Sequence, residues 1–181
     1  MNGNCHFVFG ASTSTALALN IDKIENIIQT YLPVMSMEIN ETTITLFVLG
    51  GLLGSVFPDV DNPKSHFGQL TRPLSTLIGK MQEPFGKTGA RHRGIFHDFT
   101  MYVIGFILTL FFFPPLIGFF VGCLSHLFLD CFNPMGIPCL LTKRGIHLGK
   151  IYAESKTAVV FSYTLSAIFL ITGFVFYIWV Q

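Results

Sequence analysis

What most restricts this chain is a series of apolar runs separated by two strongly basic connections. A helix needs about 20 predominantly apolar residues to cross a bilayer. The run "TAVVFSYTLSAIFLITGFVFYIWV" (157–180) supplies them, with Tyr177 and Trp179 where an interfacial aromatic belt belongs. Two more runs, "IFHDFTMYVIGFILTLFFF" and "LIGFFVGCLSHLFLDCF", flank Pro114-Pro115 and read as a helical hairpin, because the proline pair removes donors and interrupts helix. A fourth, "INETTITLFVLGGLLGSVF" (39–57), carries Gly50 and Gly54 at the small-xxx-small spacing that lets helices approach closely. The shortest, "CHFVFGASTSTALALN" (5–20), is rich in Ala, Ser and Thr, as suits a span packed inside a bundle rather than against lipid.

Charge placement orders these runs. Lys and Arg in short loops mark the cytoplasmic side. Lys64, Arg72, Lys80, Lys87, Arg91 and Arg93 fall in one connection, and Lys143, Arg144, Lys150 and Lys156 in another. Lys23 is the one basic residue elsewhere, beside Asp22, Glu25, Glu38 and Glu41. Five passes then leave both basic connections and the N-terminus inside, and the C-terminus outside. The expected fold is all-α: a single integral membrane domain over 1–181, a bundle of about four to five membrane helices, with 58–94 and 133–156 as cytoplasmic loops. Composition agrees, since 12% of residues are charged against a usual share of about 25%.

With a net charge of +1, no basic field argues for nucleic acid. The opening "MNGNCHFVFG" has no Lys or Arg before its apolar part, so a cleaved signal peptide is not expected. Cys5, Cys123, Cys131 and Cys139 lack CxxC spacing and read as buried small hydrophobes rather than as disulfides or a zinc ribbon.

The chemistry gathers at one face of this layout. Counting the runs in chain order, His6 opens the first, Asp59 and Asp61 follow the second (39–57), His92, His97 and Asp98 precede or open the third, and His126 and Asp130 close the fourth (116–132). All of these ends are cytoplasmic in the expected topology, which would place a metal site there. In "SHLFLD", His126 and Asp130 are four apart and share a helix face. In "PDVDNP" the flanking prolines favour an extended or turning stretch, and Asp59 and Asp61 at i and i+2 are expected to point to one side with a cation between them. Ionisable groups in membrane segments are costly and read as functional by default. In "ARHRGIFHDF", a turn through Gly94 brings His92 and His97 inward, and Arg91 and Arg93 suit the phosphate oxygens of a substrate. His6 is as readily a lone helix-end histidine as a ligand. Imidazole and carboxylate donors favour one or two divalent ions, zinc first and manganese second. An ion held there lowers the pKa of bound water and polarises a phosphoryl or acyl centre.

The blocks "CHFVFG", "GGLLGSVFPDVDNPKS", "HRGIFHD" and "GCLSHLFLDCFNPMGIP" resemble, in order, those of the YdjM-like family of predicted membrane-bound metal-dependent hydrolases. The resemblance implies His6, Asp59, Asp61, His92, His97, His126 and Asp130 as metal ligands. It also suggests a distant similarity to zinc-dependent phospholipases C and single-strand nucleases. Asp98 stands where the family has Ser or Thr, which would add a ligand or shift a pKa, and Cys5-His6 stands where Thr-His is usual, which raises Cys5 as a ligand. The expected function is hydrolysis of a phosphoester, such as a phospholipid headgroup, at the cytoplasmic face of a bacterial inner membrane. Asp59, Asp61, His97 and Asp98 would be its catalytic residues, and a phosphorylated lipid or small molecule its substrate. Metal binding or transport, or a non-enzymatic membrane scaffold, are the competing expectations.

Overall fold

The computed structural model describes residues 2–31, 39–62, 65–82, 95–142 and 145–180. Among them eight α-helices follow one another: α1 (Gly3–Ala18), α2 (Ile21–Tyr31), α3 (Glu41–Val56), α4 (His66–Leu70), α5 (Arg72–Gln82), α6 (Phe99–Phe112), α7 (Ile117–Cys131) and α8 (Lys156–Trp179). The helix starts follow local chemistry. Asn2, Asn40, Ser65, Asp98 and Ser155 each cap a helix by accepting from a backbone N–H of its first turn. Pro58, which cannot donate, closes α3 into a 3-10 turn at Phe57–Asp61, and Pro114-Pro115 open another between α6 and α7.

Among the described residues three stretches are long and apolar enough to cross a membrane: Glu41–Asp61, Pro114–Cys131 and Lys156–Trp179. The shorter apolar helix α6 has 14 residues, and α1 has 16. At about 1.5 Å per residue, α1 reaches only about 24 Å, short of a hydrocarbon core about 30 Å thick. Its wall of Cys5, Phe9, Gly10, Ser12, Thr13 and Ser14 is buried inside the bundle, as its small-residue composition led one to expect.

Glycines let α3 and α7 pack backbone to backbone. A Cβ on Gly122 would strike the carbonyl of Gly51, one on Gly118 the carbonyl of Phe47, and one on Gly54 the carbonyl of Phe119. These pairs advance together along both helices, so α3 and α7 run parallel. In α1, Gly10 faces Ser55 and Ser14 faces Gly51, an antiparallel pairing with α3. Helix α8 runs parallel to α1, with Phe169 edge-on to Phe9 and Gly173 against Ala16. At the far end Lys23 Nζ donates to the carbonyl of Tyr177 at 3.0 Å, where a cation suits the negative end of a helix. Helix α6 returns antiparallel on α7, Gly105 lying against Phe120 and Tyr102 clustering with Cys123.

These directions bring the start of α1, the end of α3, the start of α6 and the end of α7 to one end of the bundle. The segment after α7 is tied to that end. Leu148 and Ile151 donate to the carbonyls of Cys131 and Phe132, each at 2.7 Å, and Phe99 donates to Pro138 at 3.0 Å. A single antiparallel bridge joins Ile137 to Ile146. Gly136 turns the chain there at φ +61, where any Cβ would run into His147 and the Ile146 carbonyl.

Candidate metal centre

Five side chains from four segments meet at this end. His6 comes from the first turn of α1, Asp59 from the 3-10 turn after α3, His97 from the 3-10 turn at Ile95–His97, and His126 and Asp130 from the last two turns of α7. Each is placed by its own local chemistry. Asn2 caps α1 through the Cys5 N–H at 2.9 Å, which fixes the turn that carries His6. The Tyr102 hydroxyl donates to the Phe96 carbonyl at 2.8 Å, and Phe57 packs edge-on against Phe96, so the turn bearing His97 is held to both α6 and the end of α3. His126 and Asp130, four apart, project from one face of α7.

Among the described residues two groups of donors each lie within 4.8 Å: His6, His126 and Asp130, and Asp59, His97 and His126. His6 Nε2 is 3.4 Å from Asp130 Oδ1, and His97 Nε2 is 3.5 Å from Asp59 Oδ1 and 3.9 Å from Asp130 Oδ2. His126 Nε2 lies 4.0 Å from Asp59 Oδ1 and 3.9 Å from Asp130 Oδ2. Each of these imidazoles and the Asp130 carboxylate is buried.

The tautomer of His126 decides what this pocket can hold. Its Nδ1 is 2.7 Å from the carbonyl oxygen of Ser55. A carbonyl only accepts, so Nδ1 carries the proton and donates. In the neutral ring Nε2 is then a bare lone pair aimed between two carboxylates, and it is a buried nitrogen without a hydrogen-bond partner. Negative groups and a lone pair converging in a buried site repel unless a cation sits among them. A histidine whose second nitrogen is fixed by a backbone carbonyl is a typical metal ligand. These buried His and Asp groups can therefore hold a metal ion.

The remaining expected residues fall differently. Asp61 Oδ1 approaches His97 from the opposite nitrogen, 3.8 Å from Nδ1. The two acids of "PDVDNP" therefore approach opposite nitrogens of His97, and of the two Asp59 belongs to a donor group. The His97 imidazole separates them, because the stretch winds as a 3-10 turn rather than extending. Asp98 stands at a helix start. Its Oδ1 accepts from the N–H groups of Thr100 at 2.8 Å and Met101 at 3.3 Å, so its carboxylate caps α6 and joins neither donor group. Cys5 is buried beside His6 but belongs to neither group, and all four cysteines are free and buried. His92, Arg91 and Arg93 lie outside the described residues. Sequence reasoning missed the Ser55 carbonyl and Tyr102. A backbone oxygen leaves no mark in a sequence, whereas a tyrosine in an otherwise apolar helix is a visible signal, since a buried phenol needs a partner.

Comparison with known proteins bears on these residues together. Residues 1–180 match the family model described as YdjM inner membrane protein. Inner membrane protein YdjM of Escherichia coli (strain K12) is 31% identical over 102 residues, covering 51% of this chain and 47% of that protein. The Shigella flexneri protein of the same name matches to the same extent. The chain thus spans about half the length of the curated relatives it matches. No solved structure matches. The family match runs through every segment that carries a site residue, and the chain belongs to the YdjM family of inner membrane proteins.

Proposed function

We propose that the protein is a metal-dependent hydrolase that cleaves a phosphoester, such as a phospholipid headgroup bond, at the cytoplasmic face of the inner membrane. One observation carries the reading: His126 Nε2, its partner nitrogen fixed on Ser55, faces the buried carboxylate of Asp130 and the half-buried one of Asp59. The mixed imidazole and carboxylate set suits zinc first and manganese second. His126 would serve one ion, with His6 and Asp130 or with Asp59 and His97 as the other donors. A second ion would draw on the carboxylates of Asp59 and Asp130, each of which has two oxygens. Such a centre would supply an acidified water and a polarised phosphoryl oxygen. Around it, Asp61 lies 3.8 Å from His97 Nδ1, and Arg91 and Arg93, just before that turn in sequence, are the proposed partners of phosphate oxygens.

The test is turnover by the full-length protein in lipid vesicles, loaded with zinc or manganese, on phospholipids, an isoprenoid phosphate and a soluble phosphodiester. Metal-dependent release that a chelator stops, and that Asp59→Asn abolishes, supports the proposal. Tight metal retention without turnover on any of these substrates would leave a metal-binding role and exclude the hydrolase. Transport across the membrane fits less well, because the site residues gather at one end of the bundle rather than along its length.

A further inference from the structure

The end of the bundle that carries the site also carries leucines turned outward, beyond the ends of the candidate spans. In α5, Ser75 is fully buried and Ile78 half-buried, on the side facing the 3-10 turn of Asp59 and Asp61. On the adjoining face Leu74 and Leu77 are exposed, and Leu70 just before them is 81% exposed. The segment after α7 repeats the pattern, with Leu140 and Leu148 exposed and Leu141 at 80%. Both segments are fastened to ligand-bearing elements: α5 rests on the Asp59 turn, and the 137–151 segment hydrogen-bonds to the end of α7 and the start of α6.

Charge says what covers these leucines. From Asn62 to Gln82 and from Asn133 to Ala153 the sequence has no Asp or Glu, and it has six basic residues, Lys64, Arg72, Lys80, Lys143, Arg144 and Lys150. Of these, Arg72, Lys80 and Lys150 are exposed beside the leucines. Apolar side chains interleaved with acid-free basic ones are the pattern of segments lying in an anionic lipid interface, where leucines enter to about 5–10 Å and cations meet headgroups. A protein partner of acidic character would satisfy the cations, but it would not account for two separate segments that flank spans at the same end of the bundle.

We propose that α5 and the 137–151 segment lie in the anionic headgroup layer of the membrane that α3, α7 and α8 cross, so that the metal-site end opens into lipid headgroups rather than into bulk water. The inference rests on the membrane reading of those helices and uses no metal. Its failure is therefore distinguishable from failure of the hydrolase proposal, and its success makes a lipid the substrate class delivered to the site.

The experiment uses the chain's single tryptophan. In a Trp179→Phe background, Leu74→Trp and Leu141→Trp are each placed in full-length protein, one copy per nanodisc, with phosphatidylcholine alone or mixed with phosphatidylglycerol. Some lipids carry bromines near the carbonyl end of the acyl chain. We expect blue-shifted emission at both positions, about twofold or greater quenching by the shallow bromines, and deeper quenching with phosphatidylglycerol. Arg72→Glu with Lys80→Glu should remove the phosphatidylglycerol dependence at position 74. Water-like emission quenched by iodide but not by brominated lipid overturns the proposal. So does lipid-independent protection that appears only when two copies share a disc, which would assign the leucines to a second copy of the chain.

Discussion

The ring of His6 lies flat on that of His126, with centroids 3.6 Å apart and planes 10° from parallel. The stack packs His6 against the ring whose Nδ1 is fixed on the Ser55 carbonyl. It also means that His6 has two separable tasks, ligation and packing. His6→Phe keeps the stacked ring and removes the donor, whereas His6→Ala removes both. We expect His6→Phe to lower metal affinity while retaining most of the thermal stability, and His6→Ala to lower both. Metal titration alongside thermal unfolding in detergent separates the two; equal loss of stability in both variants would count against the ligand role.

Asp59 and Asp61 sit on opposite nitrogens of His97 and should respond differently. Asp59→Asn removes a candidate ligand, and metal should be lost. Asp61→Asn leaves the donor set intact and loosens the orientation of His97, for which a loss of about 10–100-fold in metal affinity is the ordinary scale. Competition against a calibrated chelator measures both, and an Asp61 variant as weak as the Asp59 variant would place both acids on the metal.

Asp98 offers a contrast inside the same turn. Because its carboxylate caps α6, Asp98→Ala should cost about 1 kcal/mol of stability and leave metal binding unchanged, while Asp98→Asn should be nearly silent. Loss of metal in Asp98→Asn would restore this residue to the site.

The α3–α7 contact predicts a different failure. Gly122 lies against the carbonyl of Gly51, so Gly122→Ala must push the helices apart. A cost of about 1–3 kcal/mol is expected from overpacking, and because Ser55 and His126 bridge the same two helices, metal affinity should fall with it. Thermal unfolding and metal titration of the variant check this; unchanged stability would mean that the two helices are not held as closely as described.

Much of this arrangement was legible in the residues because topology is written in charge. Once ten basic residues fall in two connections, the helix ends that bear His6, Asp59, His97 and His126 must share a face, and the structure brings those ends together. The four-residue spacing of His126 and Asp130 needed only helical periodicity. Side-chain direction in the turns was not legible. Whether Asp61 faces Asp59 or the far side of His97 depends on a 3-10 turn set jointly by Pro58 and by packing from α5. The capping by Asp98 was hidden for a similar reason, since an acid beside a histidine reads as a ligand until the helix start it caps is located. Gly50 and Gly54 announced a close helix contact, but Gly51, Gly118 and Gly122 complete it, and only the partner helix identifies them.

The central claim is that His126, fixed by Ser55, presents Nε2 to a divalent cation between the carboxylates of Asp59 and Asp130. Elemental analysis of the detergent-purified full-length protein, beside His126→Ala checked for retained helix content, tests it directly. The account predicts at least one zinc or manganese ion per chain in the wild type and its loss in the folded variant. A wild-type chain that stays metal-free after exposure to both ions, or a variant that keeps its full complement, would contradict it.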